Sequence, residues 1–488
     1  MSDDKLATVA STENADARPA PKLKTISSWY RWELMVLLFL AYFFHQADRA
    51  IFGVVATSIK EQFQLSDAAL GFTRTVMFTL MALIVPFAGF VGDRCNKRRL
   101  LIACLFFWSV ATLCTGSVQS ALQLTLFNSV ALVVAEAFYG PASTSLIASY
   151  HQKTRSVALS IHQTAVYLSV IFCGGIAGWV SQHSGELAIK IGTTFSRCVD
   201  AVGLSALAFS DVAEWDPEKC GWRVAFWGFG LASLIVGLLL VLRLKDPAKV
   251  KFADGSAIET AKPSESGSAL DSLKGFIKVY FTTPSAMLLT VGFTAIVFVN
   301  NAYLNVVSRF LQNKFGLDQA AAGWNGMFWH HIAAFACIYL GGFLSDRVAK
   351  TNASFRPKLQ FVAMTLGAPI VCAIGFAPTL SSVYALFFLM GVCRGFYECN
   401  THASVFETIP VKYRSTTVGV MILFAFLVGA WSAQIVGAFY DAHGLKGYQE
   451  GFLTLGAAWV VGAICVGIAA FKTFKRDAQK AKALNEKA

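Results

Sequence analysis

The chain has 488 residues, of which 55% are hydrophobic and only 14% charged, with a mean hydropathy of +0.55. A soluble protein of this length cannot hide that much apolar surface, whereas a protein facing lipid can. The net charge of +12 does not mark a nucleic-acid binder, because the basic residues sit in short clusters between apolar runs, as they do in membrane loops.

Residues 1–31 are polar, contain Pro19 and Pro21 and have no apolar core, so no cleaved secretory signal is expected. A span needs about 20 mostly apolar residues. Twelve such segments are predicted, near 34–54, 69–91, 100–117, 122–148, 157–181, 222–243, 286–308, 322–344, 359–378, 381–406, 415–438 and 450–472. The predicted organisation is a disordered cytoplasmic tail (1–32), a six-helix bundle (33–243), a polar cytoplasmic linker (244–285), a second six-helix bundle (286–472) and a short tail (473–488). The Lys-rich end, Lys472 to Lys487, reads as a continued helix in the anionic headgroup region. With both termini inside, about 30 of the 41 basic residues face the cytoplasm, among them Arg94–Arg99, Lys153–Arg155, Arg347–Lys358 and Lys412–Arg414. The expected location is an inner or plasma membrane.

An acidic insert, 182–221, falls on the external side and holds Cys198 and Cys220. In an oxidising compartment two cysteines in one loop tend to pair, so a Cys198–Cys220 disulfide is expected; two unpaired thiols are the alternative. The other nine cysteines are dispersed, mostly in apolar stretches, and no Cys/His metal spacing occurs, so no metal and no cofactor is expected. The chain contains no ATP-binding Gly-x-x-x-x-Gly-Lys-Ser/Thr loop, no His-Glu-x-x-His and no Gly-x-Ser-x-Gly, which argues against primary active transport and against an enzyme.

Three marks recur at a spacing of roughly 255 positions and reveal a duplicated six-helix unit. Gly89-Phe-Val-Gly92-Asp93-Arg94-Cys-Asn-Lys97-Arg98-Arg99 after the second span is matched by Gly341-Gly342-Phe-Leu-Ser345-Asp346-Arg347 after the eighth. Glu136-Ala-Phe-Tyr139 is matched by Arg394-Gly-Phe-Tyr397, and Lys153-Thr-Arg155-Ser by Lys412-Tyr-Arg414-Ser.

The Gly-x-x-Gly-Asp-Arg-x-x-Lys-Arg-Arg loop, its weaker copy and the 6+6 plan resemble the major facilitator superfamily over nearly the whole chain. His45-Gln-Ala-Asp48-Arg49 and Glu136-Ala-Phe-Tyr-Gly-Pro141 are similar to marks of its spinster-like and organic-anion symporter branches. Cys173-Gly-Gly-Ile-Ala-Gly178 lacks the Gly-Pro of drug/proton antiporters, which argues against that assignment. The resemblance implies an all-α fold of twelve transmembrane helices in two pseudo-symmetric bundles, working as a monomeric secondary active transporter. It implies that Gly89, Gly92, Asp93 and Arg94, with Asp346 and Arg347, latch the halves in one state. It also implies that Asp48 and Glu136 carry proton coupling.

Ionisable groups inside spans are costly, of order ~2.5–3.5 kcal/mol each on insertion scales, and default to function. Arg394 and Glu398 lie one turn apart on one face. They form either a structural ion pair or an anchor in which Arg394 holds an anionic group once Glu398 is displaced or protonated. Asp48, Arg49 and Glu136 form either a static cluster or a switch in which a proton on a carboxylate frees Arg49. Arg74, near a span end, attracts an anion or snorkels to the headgroups, and snorkelling is the expectation. Asn300, Asn301, Tyr303 and Asn305 make a polar cluster suited to hydrogen-bonding a substrate, while Tyr139 and Tyr397 frame the site from both halves or only pack. His330 and His331, and the weaker candidates His162 and Gln163, read as packed polar contacts. Arginines exceed unpaired carboxylates in this set, so the expected partner is a small organic anion or anionic amphiphile, with protons and membrane lipid and no nucleic acid. A uniporter of a neutral solute or a transporter-like receptor is the rival.

Overall fold

The computed structural model describes residues 23–486 apart from 152–154, 202, 204–208, 210–211, 256–257, 259–268, 350, 353 and 411–412. Among the described residues, twelve helices are long and apolar enough to cross a membrane. We number them α1 (Tyr30–Phe63), α2 (Asp67–Arg94), α3 (Lys97–Gly116), α4 (Ala121–Ile147), α5 (Arg155–His183) and α6 (Pro217–Arg243) in the first half. In the second half they are α7 (Pro284–Phe315), α8 (Gln319–Val348), α9 (Phe355–Phe376), α10 (Leu380–Thr408), α11 (Thr416–His443) and α12 (Leu445–Glu486). Every predicted span is present, and α1, α7 and α12 are far longer than their apolar cores. Their ends carry residues such as Lys60, Glu61 and Lys314, which hydropathy assigns to loops but which helical hydrogen bonding accommodates beyond the bilayer.

An even number of spans puts both termini on one face, called here the terminal face. On it Lys24–Ile26 (β1) and Val250–Phe252 (β2) form a two-stranded parallel ladder. Arg31 reinforces it through a 3.0 Å ion pair with Asp254. The expected disordered tail 1–32 therefore needs correction over 23–32, where strand and helix are formed; residues 1–22 lie outside the described residues. The segment 244–285 likewise holds β2 and a helix at Ala269–Phe281. At the other end α12 continues to Glu486, and buried Asp477 accepts hydrogen bonds from the Ser285 amide (3.0 Å) and hydroxyl (2.8 Å). This carboxylate caps the first turn of α7, where unpaired N–H groups and the helix dipole favour negative charge.

The insert 182–221 folds as an amphipathic helix, Gly185–Ala201, followed by short turns. The expected Cys198–Cys220 disulfide is not formed: both are free thiols. Cys220 is buried beneath the start of that helix, with its Sγ 3.4 Å from the Gly185 carbonyl. Cys198 is exposed thirteen residues further along, about 20 Å at helical rise, where a disulfide needs its Cα atoms within about 7 Å.

The halves meet along α2–α11 and α5–α8, with α1 crossing α7. Small residues permit this. A Cβ at Gly71 would overlap the Gln434 backbone, and one at Gly437 would overlap the Asp67 carbonyl group. Gly71→Val is expected to cost about 1–3 kcal/mol by forcing α2 from α11. The check is the apparent melting temperature of detergent-purified protein, and an unshifted value would show that the crossing tolerates the side chain.

Candidate functional site

In the first half α1 contributes His45, Asp48 and Arg49, successive turns of one helix face. Arg49 pairs with Glu136 from α4. His45 places Nε2 3.9 Å from the same Oε1. Asp48 turns toward α3, where its Oδ2 accepts from the Thr112 hydroxyl (2.7 Å) and from the Trp108 indole N–H. Asp48 and Glu136 are both buried, whereas the Arg49 side chain keeps 22% exposure. Of this first cluster, Arg49 is therefore the member open to a solute.

Tyr139 does not frame the site. Its hydroxyl donates to the Leu38 carbonyl (3.1 Å), and its ring belongs to a buried stack with His45, Tyr42 and His162.

In the second half Arg394 is the hub. Its Nε donates to Glu398 Oε1 (2.7 Å), and its Nη1 donates to Asn300 Oδ1 (2.6 Å) and to His330 Nε2 (3.1 Å). A guanidinium has no acceptor, so this His330 nitrogen offers its lone pair. Glu398 reaches across to the first half: its Oε2 accepts from Tyr167 on α5 at 2.9 Å. One carboxylate thus holds an arginine of its own half and a tyrosine of the other.

Asn300 is the α7 residue brought to Arg394. Asn301 and Asn305 lie on another face of the helix, where the Asn305 amide donates to the Asn301 carbonyl (2.8 Å). Tyr303 donates to the Gly326 carbonyl (2.5 Å) and packs its ring on His330. Tyr397 is buried with its hydroxyl toward Gly292, away from Arg394, and so packs like Tyr139. Arg74 does not snorkel: it is 2% exposed, with its guanidinium 3.7 Å from the Phe52 ring centroid.

The side chains of Gly89, Gly92, Asp93 and Arg94, in the last turns of α2, lie outside the described residues. The loop copy is visible. Asp346 accepts from Arg356 (2.8 Å), which also pairs with Glu407 (3.0 Å), so these contacts tie α8, α9 and α10 of one half to each other. Arg347 is exposed.

Away from the terminal face the halves are closed by polar contacts that the sequence did not expose. Asp67, at the start of α2, pairs with Arg309 of α7 and with Lys60 of α1. Asp441 of α11 accepts from the amides of Asp67 (2.9 Å) and Ala68 (2.7 Å), capping α2 from the opposite half. Gln319 of α8 donates to the Val54 carbonyl (3.1 Å) and accepts from Ser58 (3.2 Å).

Two duplicated bundles around a shared seam, each with an arginine–glutamate pair inside its apolar helices, define a membrane transport protein. The chain belongs to the major facilitator superfamily, whose sequence model matches residues 38–433. It is similar to protein spinster homolog 1 of Xenopus tropicalis, 24% identical over 446 residues that cover 87% of this chain and 76% of that one. It is also similar to the probable galactarate/D-glucarate transporter GudP of Bacillus subtilis, 20% identical over 450 residues, 88% and 89% of the two chains. Among solved structures, a bacterial homolog of the human lysosomal transporter spinster, inward-facing and unoccupied, matches with a TM-score of 0.73 at 23% identity, covering 92% of this chain and 98% of that one. The chain is an integral membrane transporter of small molecules near the spinster branch, and not an enzyme.

Proposed function

We propose that this chain carries a small organic anion or an anionic amphiphile across the membrane by alternating access, coupled to protons. The observation that carries the reading is the arginine–carboxylate pair set inside the helices of each half, Arg49–Glu136 and Arg394–Glu398, one member of each buried and the other partly exposed. An incoming carboxylate or phosphate competes with the glutamate for the guanidinium fork. A displaced glutamate cannot stay charged and unpaired among apolar helices, so it takes a proton. Anion binding and proton uptake become one event. His330, accepting from Arg394, holds that arginine in place while its partner changes, and His45 lies beside Glu136.

The bundles 33–243 and 286–472 act as the two rocking bodies, and the Tyr167–Glu398 bond is the contact that cargo at Arg394 releases. The clustering of lysine and arginine in the loops of the terminal face supports a cytoplasmic position for it, with the closed polar face external. The monomer holds both halves of the site. GudP, named for a doubly anionic sugar acid, supports an anionic cargo.

The test is uptake into proteoliposomes of glucarate, an aromatic carboxylate and a lysophospholipid, with and without an inward proton gradient. Gradient-stimulated uptake of one anion is expected; stimulation of none, with uptake of a neutral solute, would overturn the reading. Arg394→Gln is expected to weaken apparent affinity by about 10- to 100-fold, the equivalent of one charge-assisted hydrogen-bonded contact. Unchanged affinity in that variant would remove Arg394 from the site.

A further inference from the structure

Two buried arginines of the spans stand outside this scheme: Arg223, whose Nη1 donates to the Gly116 and Val118 carbonyls, and Arg74. Arg74 is buried to 2% exposure, and among the described residues no carboxylate lies within ion-pair distance of it, Glu136 and Asp48 acting on its charge only from further off. Its Nη1 meets only the Met77 sulfur (2.9 Å), and Nε and Nη2 have no hydrogen-bond partner among the described residues. The Phe52 ring covers the guanidinium face at 3.7 Å, an arrangement that leaves the N–H edge free. A buried cation with idle donors is expensive, and inside a span such a group is a functional candidate by default.

Its position says which anion. Arg49, from α1, lies over Phe78 of α2 at 5.9 Å, while Arg74, from α2, lies over Phe52 of α1. The two guanidinium groups are therefore about one turn apart in depth, some 6 Å, on facing helices. About 10 Å further along α2 lies Asp67, which holds Arg309. The three arginines form a ladder along the seam between the halves, running from the paired site toward the closed face.

The second half meets this ladder at the middle rung. Gly53, next to Phe52, lies against the backbone of Leu304 and Asn305, and the Thr75 hydroxyl, next to Arg74, donates to the Ala430 carbonyl (2.9 Å). Asn301 lies against Gly429, so its Nδ2, also unpartnered among the described residues, is at the same depth.

We propose that Arg74 is a second anion subsite: the carboxylate or phosphate of the cargo passes from Arg49 to Arg74 on the route to the closed face. The inference rests on the anion reading above. Its particular content is a transfer point made by a residue that has no carboxylate to displace. Arg49 and Arg309 release an acid when they take cargo; Arg74 does not.

The test uses the full chain in detergent and in proteoliposomes, with glucarate as the carboxylate probe and a lysophosphatidate as the phosphate probe. Arg74→Met is expected to leave the melting temperature of the unliganded protein unchanged or raised, because it removes an unpaired buried charge. The same variant should weaken ligand-induced thermal stabilisation and raise the half-saturation concentration for uptake of the accepted probe by about 10- to 100-fold. Arg74→Lys should recover part of it. Whichever probe responds identifies the headgroup. A large fall in melting temperature with unaltered affinity would make Arg74 structural and overturn the proposal. Loss of binding in Arg394→Gln with none in Arg74→Met would also overturn it while the anion reading stands. Binding of neither probe, nor of the aromatic carboxylate, by the unmodified chain together with uptake of a neutral solute would overturn both.

Discussion

Glu136→Gln is expected to abolish proton-driven accumulation of cargo while sparing one-for-one exchange. Glutamine has the size of a protonated glutamate and cannot lose a proton, so it fixes the first half in the state where Arg49 has no anionic partner of its own. Arg49 is the partly exposed member of that pair and Glu136 the buried one, so the substitution removes a charge from the interior without opening a cavity. Cargo can still bind Arg49 and both halves can still rock when it is bound. On the proposed coupling, however, the empty carrier no longer needs a proton on the glutamate to reset, and the gradient stops driving it. Gradient-driven uptake should fall to background, about 100-fold or more, consistent with loss of a group acting only in coupling. Counterflow of labelled against unlabelled cargo should stay within a few-fold of the unmodified protein. Concentrative uptake at the normal level in this variant would assign coupling elsewhere. Asp48→Asn provides the comparison: Asp48 is held by Trp108 and Thr112 of α3, so its loss tests whether a second proton site exists behind the first.

The segments, the duplication and the intramembrane charges were readable in the sequence because each depends on local composition or on a spacing within one chain. Twelve runs of apolar residues can do little but span a bilayer, and the Glu136–Arg394 correspondence follows from position alone. Partnership was less readable. Arg394–Glu398 is an i,i+4 pair and was visible; Arg394–Asn300 joins different helices and was not, because four adjacent polar residues on α7 give no sign of which face turns inward. Tyr139 and Tyr397 occupy matched repeat positions, yet both pack inside their own bundles, since repeat symmetry constrains helix placement and not access to the seam. Arg74 lies near a hydropathic boundary and so looked like a snorkelling side chain; only the length of α2 beyond it and the cover from Phe52 place it inside. Tyr167 carried no signal, being a single hydroxyl in an apolar helix. The closed face hid for the same reason as Arg74: Lys60, Asp67, Arg309 and Asp441 all lie at helix ends, where charges are ordinary.

That closed face yields the second large effect. Asp67→Asn should shift the carrier away from the described state. Asp67 and Arg309 are both nearly fully buried across the boundary between halves, and Lys60 adds a second cation to the same carboxylate. Removing one partner of a buried pair leaves an uncompensated charge, and such losses run to about 3–5 kcal/mol. The penalty falls only on the state in which the pair is made. On the proposed alternating access, α2 and α7 separate at this face in the other state and the groups regain water, so the population ratio should move by a factor of 100 or more. Ser58 and Gln319, 3.2 Å apart across the same boundary, give the readout. A Ser58→Cys/Gln319→Cys pair should cross-link rapidly under mild oxidation and block transport until reduced. Adding Asp67→Asn should slow cross-linking and expose either cysteine to an impermeant thiol reagent. Replacing Arg309 by methionine in that background should restore part of the cross-linking rate, because the stranded cation is then gone. Equal rates in all three proteins would mean that the α2–α11 and α5–α8 packing closes the face unaided, and that the ion pair follows the closure without contributing to it.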